Sequence, residues 1–151
     1  MTVTLRPATP DDAAACATLM RAWIEETDWI PQLHTPEEDR AFVGGKIAAG
    51  RVTVAERDGS FAGFMTLEEG YLGQLHVAHA HRNRGIGAQL LRHAKVTSPD
   101  GFELWTFQAN PGALRFYLRE GLTELRRTDG AGNEERLPDI RLAWTGKGAS
   151  S

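Results

Sequence analysis

At 151 residues, with 41% hydrophobic and 25% charged residues, the chain has the size and make-up of one compact globular domain, not of a disordered or membrane-embedded protein. The 17 Lys and Arg against 20 Asp and Glu leave a formal net charge of −3, which excludes general attraction to nucleic acid or an anionic membrane; an anionic ligand must be held locally. No apolar run approaches the ~18 residues of a membrane span and the first residues lack a signal-peptide pattern, so a cytoplasmic protein without membrane or nucleic-acid partners is expected.

Thr2 to Arg6 alternates as a strand does, and Thr9-Pro10-Asp11-Asp12 then opens a helix with a cap hydroxyl, a first-turn proline and two acids at its positive end. That helix is expected to run to about Thr27 and to bury Cys16, the single cysteine, as a packed thiol. Thr35 and Glu38 have capping-box spacing, and Phe42, Val43 and Ile47 follow on a helical period, which places a second helix over residues 36–49. Asp58-Gly59 joins two alternating runs, 51–57 and 61–67, as a tight hairpin. Residues 71–77 form a third strand of the sheet interior, and Ile86, Leu90, Leu91 and Ala94 share one face of the helix after it. Beyond Ser98-Pro-Asp-Gly101, residues 102–107 are β-rich, and Asn110-Pro111 caps a short helix that ends near Gly121. Two last strands, 122–127 and 140–144, flank a polar loop, and 147–151 is expected to be a disordered tail behind one domain over 1–146. The order β-α-α-β-β-β-α-β-α-β-β reads as a mixed α+β domain.

Arg82-Asn83-Arg84-Gly85-Ile86-Gly87 stands where strand passes into helix. First-turn N–H groups have no intrahelical acceptor and the helix dipole adds positive charge, so such a turn suits phosphate. Arg82, Arg84 and His81 can add charge-assisted contacts. The segment lacks the Gly-Lys-Ser/Thr of a triphosphatase loop, and no acid follows ~20 residues on as dinucleotide binding expects. No Cys/His group stands at zinc spacing, and no metal is expected.

The pattern Arg82-x-x-Gly85-x-Gly87 after Leu75-His-Val77 resembles the signature of the GNAT family of N-acetyltransferases. Downstream, Asn110 followed by Phe116-Tyr117 and Gly121-Leu122 resembles the family's second conserved region in order and spacing, and the likeness spans roughly Leu5 to Trp144. The resemblance implies a central, mostly antiparallel sheet of about six to seven strands flanked by four helices, with a V-shaped split between the fourth and fifth strands. It implies acetyl-CoA, or another acyl-CoA, in that split. The pantetheine arm would pair with the main chain at Leu75, His76 and Val77 as an added strand would. Pyrophosphate would fall on Arg82, Asn83, Arg84, Gly85, Ile86, Gly87 and Ala88, and Asn110, Ala113, Phe116 and Tyr117 would touch the cofactor from the later helix.

A primary amine attacking a thioester needs an oxyanion donor, a base for the ammonium and an acid for the sulfur. By the resemblance, the backbone N–H of Val77 is the donor and Tyr117 the acid, and the family has no fixed base. Glu68, Glu69 and Tyr71, near the start of the central strand, are candidates for it. The side chains of Gln74 and His76 alternate with Leu75 and Val77, so a packed structural histidine is expected at 76. Trp29 and His34, between the first two helices, are candidates for the acceptor wall, and Glu134 and Glu135 in the last loop for meeting a cationic acceptor; Trp29, Trp105 and Phe107 are candidates to shape the pocket, with core packing favoured for the last two. The function implied is acetyl transfer to a primary amine, a small molecule before a protein amino terminus or lysine. The alternative is an acyl-CoA-binding regulatory domain without transfer. Family members often dimerise, but no apolar surface stripe demands it here, and a homodimer is left open.

Overall fold

A computed structural model of the chain describes residues 2–146; the expected tail at 147–151 lies outside the described residues. In chain order the elements are β1 (Val3–Pro7), α1 (Ala13–Glu26), α2 (Pro36–Ala48), β2 (Val52–Arg57), β3 (Ser60–Glu68), β4 (Tyr71–Val77), α3 (Ile86–Thr97), β5 (Phe102–Phe107), α4 (Pro111–Arg119), β6 (Thr123–Thr128) and β7 (Asp139–Trp144). Single 3-10 turns at Pro10–Asp12 and His79–His81 precede α1 and the turn into α3. The seven strands are ordered β1-β2-β3-β4-β5-β7-β6, and the fold is the expected mixed sheet with four α-helices. The pairings of β1 with β2, β2 with β3, β5 with β7 and β6 with β7 are antiparallel, whereas β4 and β5 pair in parallel at Tyr71 and Glu103.

The helix ends form where the side chains supply partners for unpaired backbone groups. Thr35 accepts from the Glu38 N–H at 3.1 Å while the Glu38 carboxylate accepts from the Thr35 N–H at 2.8 Å, the reciprocal box expected from the spacing. At the first helix the carboxylate of Asp12 accepts from the Thr9 N–H at 2.7 Å, and the same carboxylate pairs with Arg6 of β1 at 2.8 Å. The Arg6 guanidinium, with the Thr9 bonds, holds the Asp12 carboxyl down to about 2. Both hairpins turn on two residues in the left-handed region, Asp58-Gly59 and Glu69-Gly70, whose φ angles are 52° and 83°, then 49° and 77°.

The described residues divide into two compact units, one of residues 2–67 and 74–90, the other of 68–73 and 91–146. The first is built on Cys16, Leu19 and Met20 of α1, Val43 and Ile47 of α2, Val52 and Val54 of β2 and Phe64 of β3. Cys16 is fully buried there, its thiol pushed up to about 12 by burial, which makes it the packed group expected and not a nucleophile. Arg21 of α1 reaches the buried carboxylate of Asp39 on α2 and the carbonyl of His34, both at 2.7 Å, and so fixes the connection between those helices. In the second unit Leu91, Ala94, Phe102, Leu104, Leu122, Ile140 and Leu142 are buried. The strands differ from expectation at their edges only: β6 starts one residue later, at Thr123, and β7 one earlier, at Asp139. Asp139 pairs with Phe107 and Thr128, and that pairing depends on distant residues, invisible in a local pattern.

Candidate functional site

In the first unit the second half of β4 leads into the glycine-rich turn at 82–87. The Ala78 N–H donates to the Ala62 carbonyl at 2.8 Å, so alternation along β4 aims the even-numbered main chain at β3 and leaves N–H and C=O of Leu75 and Val77 on the other edge. The Val77 carbonyl accepts from Arg82 Nε at 3.3 Å. Gly63 of β3 permits this close pairing, since a Cβ there would lie 2.4 Å from the His76 carbonyl oxygen. Leu75 and Val77 therefore direct their main-chain groups away from β3, an edge to which an extended, peptide-like group could add.

His76 faces the opposite way. Its ring stacks on Phe64 at 5.5 Å and meets Trp23 edge-on at 5.9 Å, and its Nε2 lies 2.7 Å from Gln74 Oε1. Burial, and then the nearby Arg82 cation, lower its pKa to about 4, so it is a neutral, packed histidine. Trp29 meets Trp23 edge-on at 6.0 Å, which places it in the same aromatic group beside α1.

The glycine-rich turn passes through two left-handed residues, Asn83 at φ 63° and Gly85 at φ 76°. The Gln89 N–H is the first to find a helical acceptor, Gly85 O at 3.0 Å, so those of Ile86, Gly87 and Ala88 precede the ladder. A Cβ at Gly85 would meet nothing within 4 Å; the glycine serves the backbone angle, and the space above it is open. Ile86 is buried and can offer a ligand only its main chain. Arg84 is exposed, and among the described residues the buried Nδ1 of His81 has no hydrogen-bond partner. Open first-turn donors, free cationic charge and an orphaned ring nitrogen make a donor set that fits a pyrophosphate.

Arg82 is turned elsewhere. Besides the Val77 carbonyl, it reaches Glu26 Oε1 and His79 Nδ1, each at 3.3 Å. Together with Trp23 and Thr27 these residues line an open depression of about 420 Å³. Glu26 was not singled out by sequence reasoning, and no local signal could find it, because it lies 56 positions from the arginine it holds.

In the second unit, Asn110 caps α4 by accepting from the Ala113 N–H at 3.2 Å, and Lys95 of α3 donates to the Glu120 carbonyl at its far end, at 2.5 Å. Between these anchors Phe116 and Tyr117 lie with ring centroids 5.2 Å apart. Tyr117 is half-buried, and burial raises its pKa well above the ordinary phenol value, so it remains a proton donor throughout the neutral range. Glu69 occupies the first turn position between β3 and β4, which explains its place structurally. Tyr71 is 40% exposed, with the Arg141 guanidinium 6.0 Å from its ring centre. Burial raises its phenol against the lowering effect of Arg141. Glu134 lies exposed in the loop between β6 and β7, and His34 lies in the connection between α1 and α2.

Trp105 and Phe107 are half-buried, not core residues: β5 buries Phe102, Leu104 and Thr106 on one face and sends Glu103, Trp105 and Phe107 to the other. Among the described residues no group of three or more His, Cys, Asp or Glu could hold a metal ion, and no helix is long and apolar enough to cross a membrane.

Residues 48–124 match the family model described as an acetyltransferase (GNAT) domain. Over 109 residues the chain is 30% identical to the mycothiol acetyltransferase of Amycolatopsis mediterranei (strain U-32), an alignment covering 68% of this chain and 35% of that protein. The chain thus spans about a third of the length of that curated relative. Among solved structures, a GNAT-family acetyltransferase from Bacillus cereus ATCC 10987 superposes with a TM-score of 0.79 at 18% identity, over 97% of this chain and 99% of that one. The yncA protein of Salmonella typhimurium, solved with its cofactor acetyl-CoA, superposes with a TM-score of 0.76 at 18% identity, over 100% and 98% of the two chains. At such identities the likeness is one of fold.

Proposed function

Because the chain belongs to the GNAT acetyltransferase family, we propose that residues 1–146 form one acetyltransferase domain that moves an acetyl group from acetyl-CoA to a primary amine on a small molecule, in the cytoplasm. The observation that carries this reading is the conjunction, in one unit, of a strand edge left open at Leu75 and Val77 with open first-turn donors at Ile86, Gly87 and Ala88. The first suits amides and the second suits a pyrophosphate, and coenzyme A carries both.

Bound acetyl-CoA supplies an activated thioester. Leu75 and Val77 would align its amide-bearing arm, and the Val77 N–H would donate to the thioester oxygen, a fixed dipole where negative charge develops. Arg84, Asn83 and the main chain of residues 85–88 would hold the phosphates, with Arg82 joining after release from Glu26. Tyr117, kept protonated by burial, would give its proton to the departing sulfur. Asn110 and Lys95 fix the two ends of the helix that carries Tyr117, and so act as positioning residues. The amine must lose a proton as it attacks; Glu69 in the turn before β4 is the candidate acceptor, and Tyr71, whose phenol burial keeps protonated, could only relay it.

The test is thiol release from acetyl-CoA over a panel of primary amines. Tyr117→Phe should lower kcat by roughly 10²-fold while the Kd for acetyl-CoA stays within a factor of two or so. Unchanged turnover removes Tyr117 from the chemistry. A thermal shift with acetyl-CoA but no transfer to any amine would favour a binding domain without activity, and no thermal shift would overturn the cofactor assignment.

A further inference from the structure

Across β5, β7 and β6 the register sets Trp105 opposite Arg141 and Arg141 opposite Arg126. A single row over three strands therefore reads tryptophan, arginine, arginine. The guanidinium carbons of Arg141 and Arg126 lie 5.0 and 5.2 Å from the centre of the Trp105 ring, so two cations share one indole. Like charges directly opposite one another weaken strand pairing. Arg141 is compensated by Glu103, whose Oε1 lies 2.5 Å from its Nε. Arg126 is not: it is exposed, and among the described residues it forms no ion pair.

The acids of β6 and β7 themselves are already paired. Glu124 is held by Arg127 at 2.8 Å, and the buried Asp139 accepts from Thr128 and from Asn133. Glu135 and Asp139 bear on Tyr71, at the other end of the same cluster, where Arg141 also lies over the ring. The face is therefore polarised, with negative charge toward Tyr71 and an uncompensated guanidinium over the outer indole.

We propose that the Trp105-Arg141-Arg126 row is an oxyanion-binding site, and that the acceptor amine carries a carboxylate or phosphate ester that docks there against Arg126. The guanidinium fork matches either oxyanion with two parallel hydrogen bonds, and the indole gives it a flat wall that holds its plane. This names the substrate class of the transferase reading above and rests on it for the word acceptor; the oxyanion site itself does not.

Two arms separate these claims. In the first, intrinsic tryptophan fluorescence is titrated with succinate and with inorganic phosphate at constant ionic strength, with chloride as the control. A saturable change is expected, absent with chloride and lost in Arg126→Gln and in Trp105→Phe, with Arg126→Lys retaining part of it and thermal melts showing each variant folded. Response to succinate alone assigns a carboxylate, and response to phosphate alone a phosphate ester. A change equal with chloride, or undiminished in Arg126→Gln, overturns the site. In the second arm, acetyl transfer is compared between amino acids and their uncharged amides. The acid should be favoured by about tenfold in kcat/KM, a preference that Arg126→Gln removes while the KM for acetyl-CoA is unchanged. Equal rates for acid and amide overturn the acceptor assignment even if the first arm succeeds. Failure of every amine in the panel refutes the transferase reading and leaves the oxyanion site to the first arm alone.

Discussion

Arg82 illustrates how one side chain can belong to two arrangements. Its sequence position marks it for phosphate, yet in this structure it is shared among Glu26, His79 and the Val77 carbonyl, all at 3.3 Å. These are long, exposed bonds that a doubly charged phosphate would outcompete. Glu26→Gln should therefore lower the KM for acetyl-CoA by about two- to threefold with kcat unchanged, and Arg82→Glu should raise it; a KM indifferent to Glu26 would show that the pair does not compete with cofactor. His76 makes a second prediction. Its pKa in the folded protein, about 4, lies below the ordinary 6.5, so the unfolded chain takes up the proton first. Its contribution is full above pH 6.5 and drains away as the pH falls toward 4, by on the order of 2–3 kcal/mol. Asp12, held down to about 2 from 3.8, adds a loss only below pH 4. Urea midpoints measured from pH 8 to 4 should fall mainly below 6.5, and His76→Gln should flatten that decline.

At the level of elements, α4 is nine residues long, too short to be stable alone, and it depends on its anchors. Asn110→Ala removes the acceptor for the Ala113 N–H and should cost about 1 kcal/mol. If α4 positions Tyr117, kcat should fall as well, with less effect on acetyl-CoA affinity. The β3–β4 pair is governed by steric exclusion. Gly63→Ala would bring a Cβ against the main chain of residue 76 and should destabilise by about 1–3 kcal/mol or more, read from denaturant midpoints. Local patterns identified these elements well, because caps, hairpin turns and apolar periods are properties of neighbours in sequence. Alternation along β5 shows that its two faces differ but not which one is covered; the structure leaves the face with Trp105 half-buried.

For the molecule as a whole, a ligand that binds only the folded chain stabilises it by mass action. Acetyl-CoA at about 100 times its Kd should add roughly 2.7 kcal/mol, seen as a raised Tm, whereas adenosine, which lacks the phosphates and the arm, should add little. The net charge of −3 supplies no general attraction for such an anion, so the shift should depend on Arg84 and the α3 first turn and disappear on charge reversal at Arg84.

The amino-acid sequence alone determined the elements, the glycine-rich turn at 82–88 and the cap at Asn110, which rest on residues within about a turn or a hairpin of each other, and the family resemblance, which rests on the order and spacing of two such local motifs. Tertiary structure decided the rest. It showed that the Leu75 and Val77 main chain points away from β3, that Glu26 reaches Arg82 across 56 positions, and that Trp105, Arg141 and Arg126 align in one row. Each of these depends on strand register or on contacts between distant segments, which local composition does not encode.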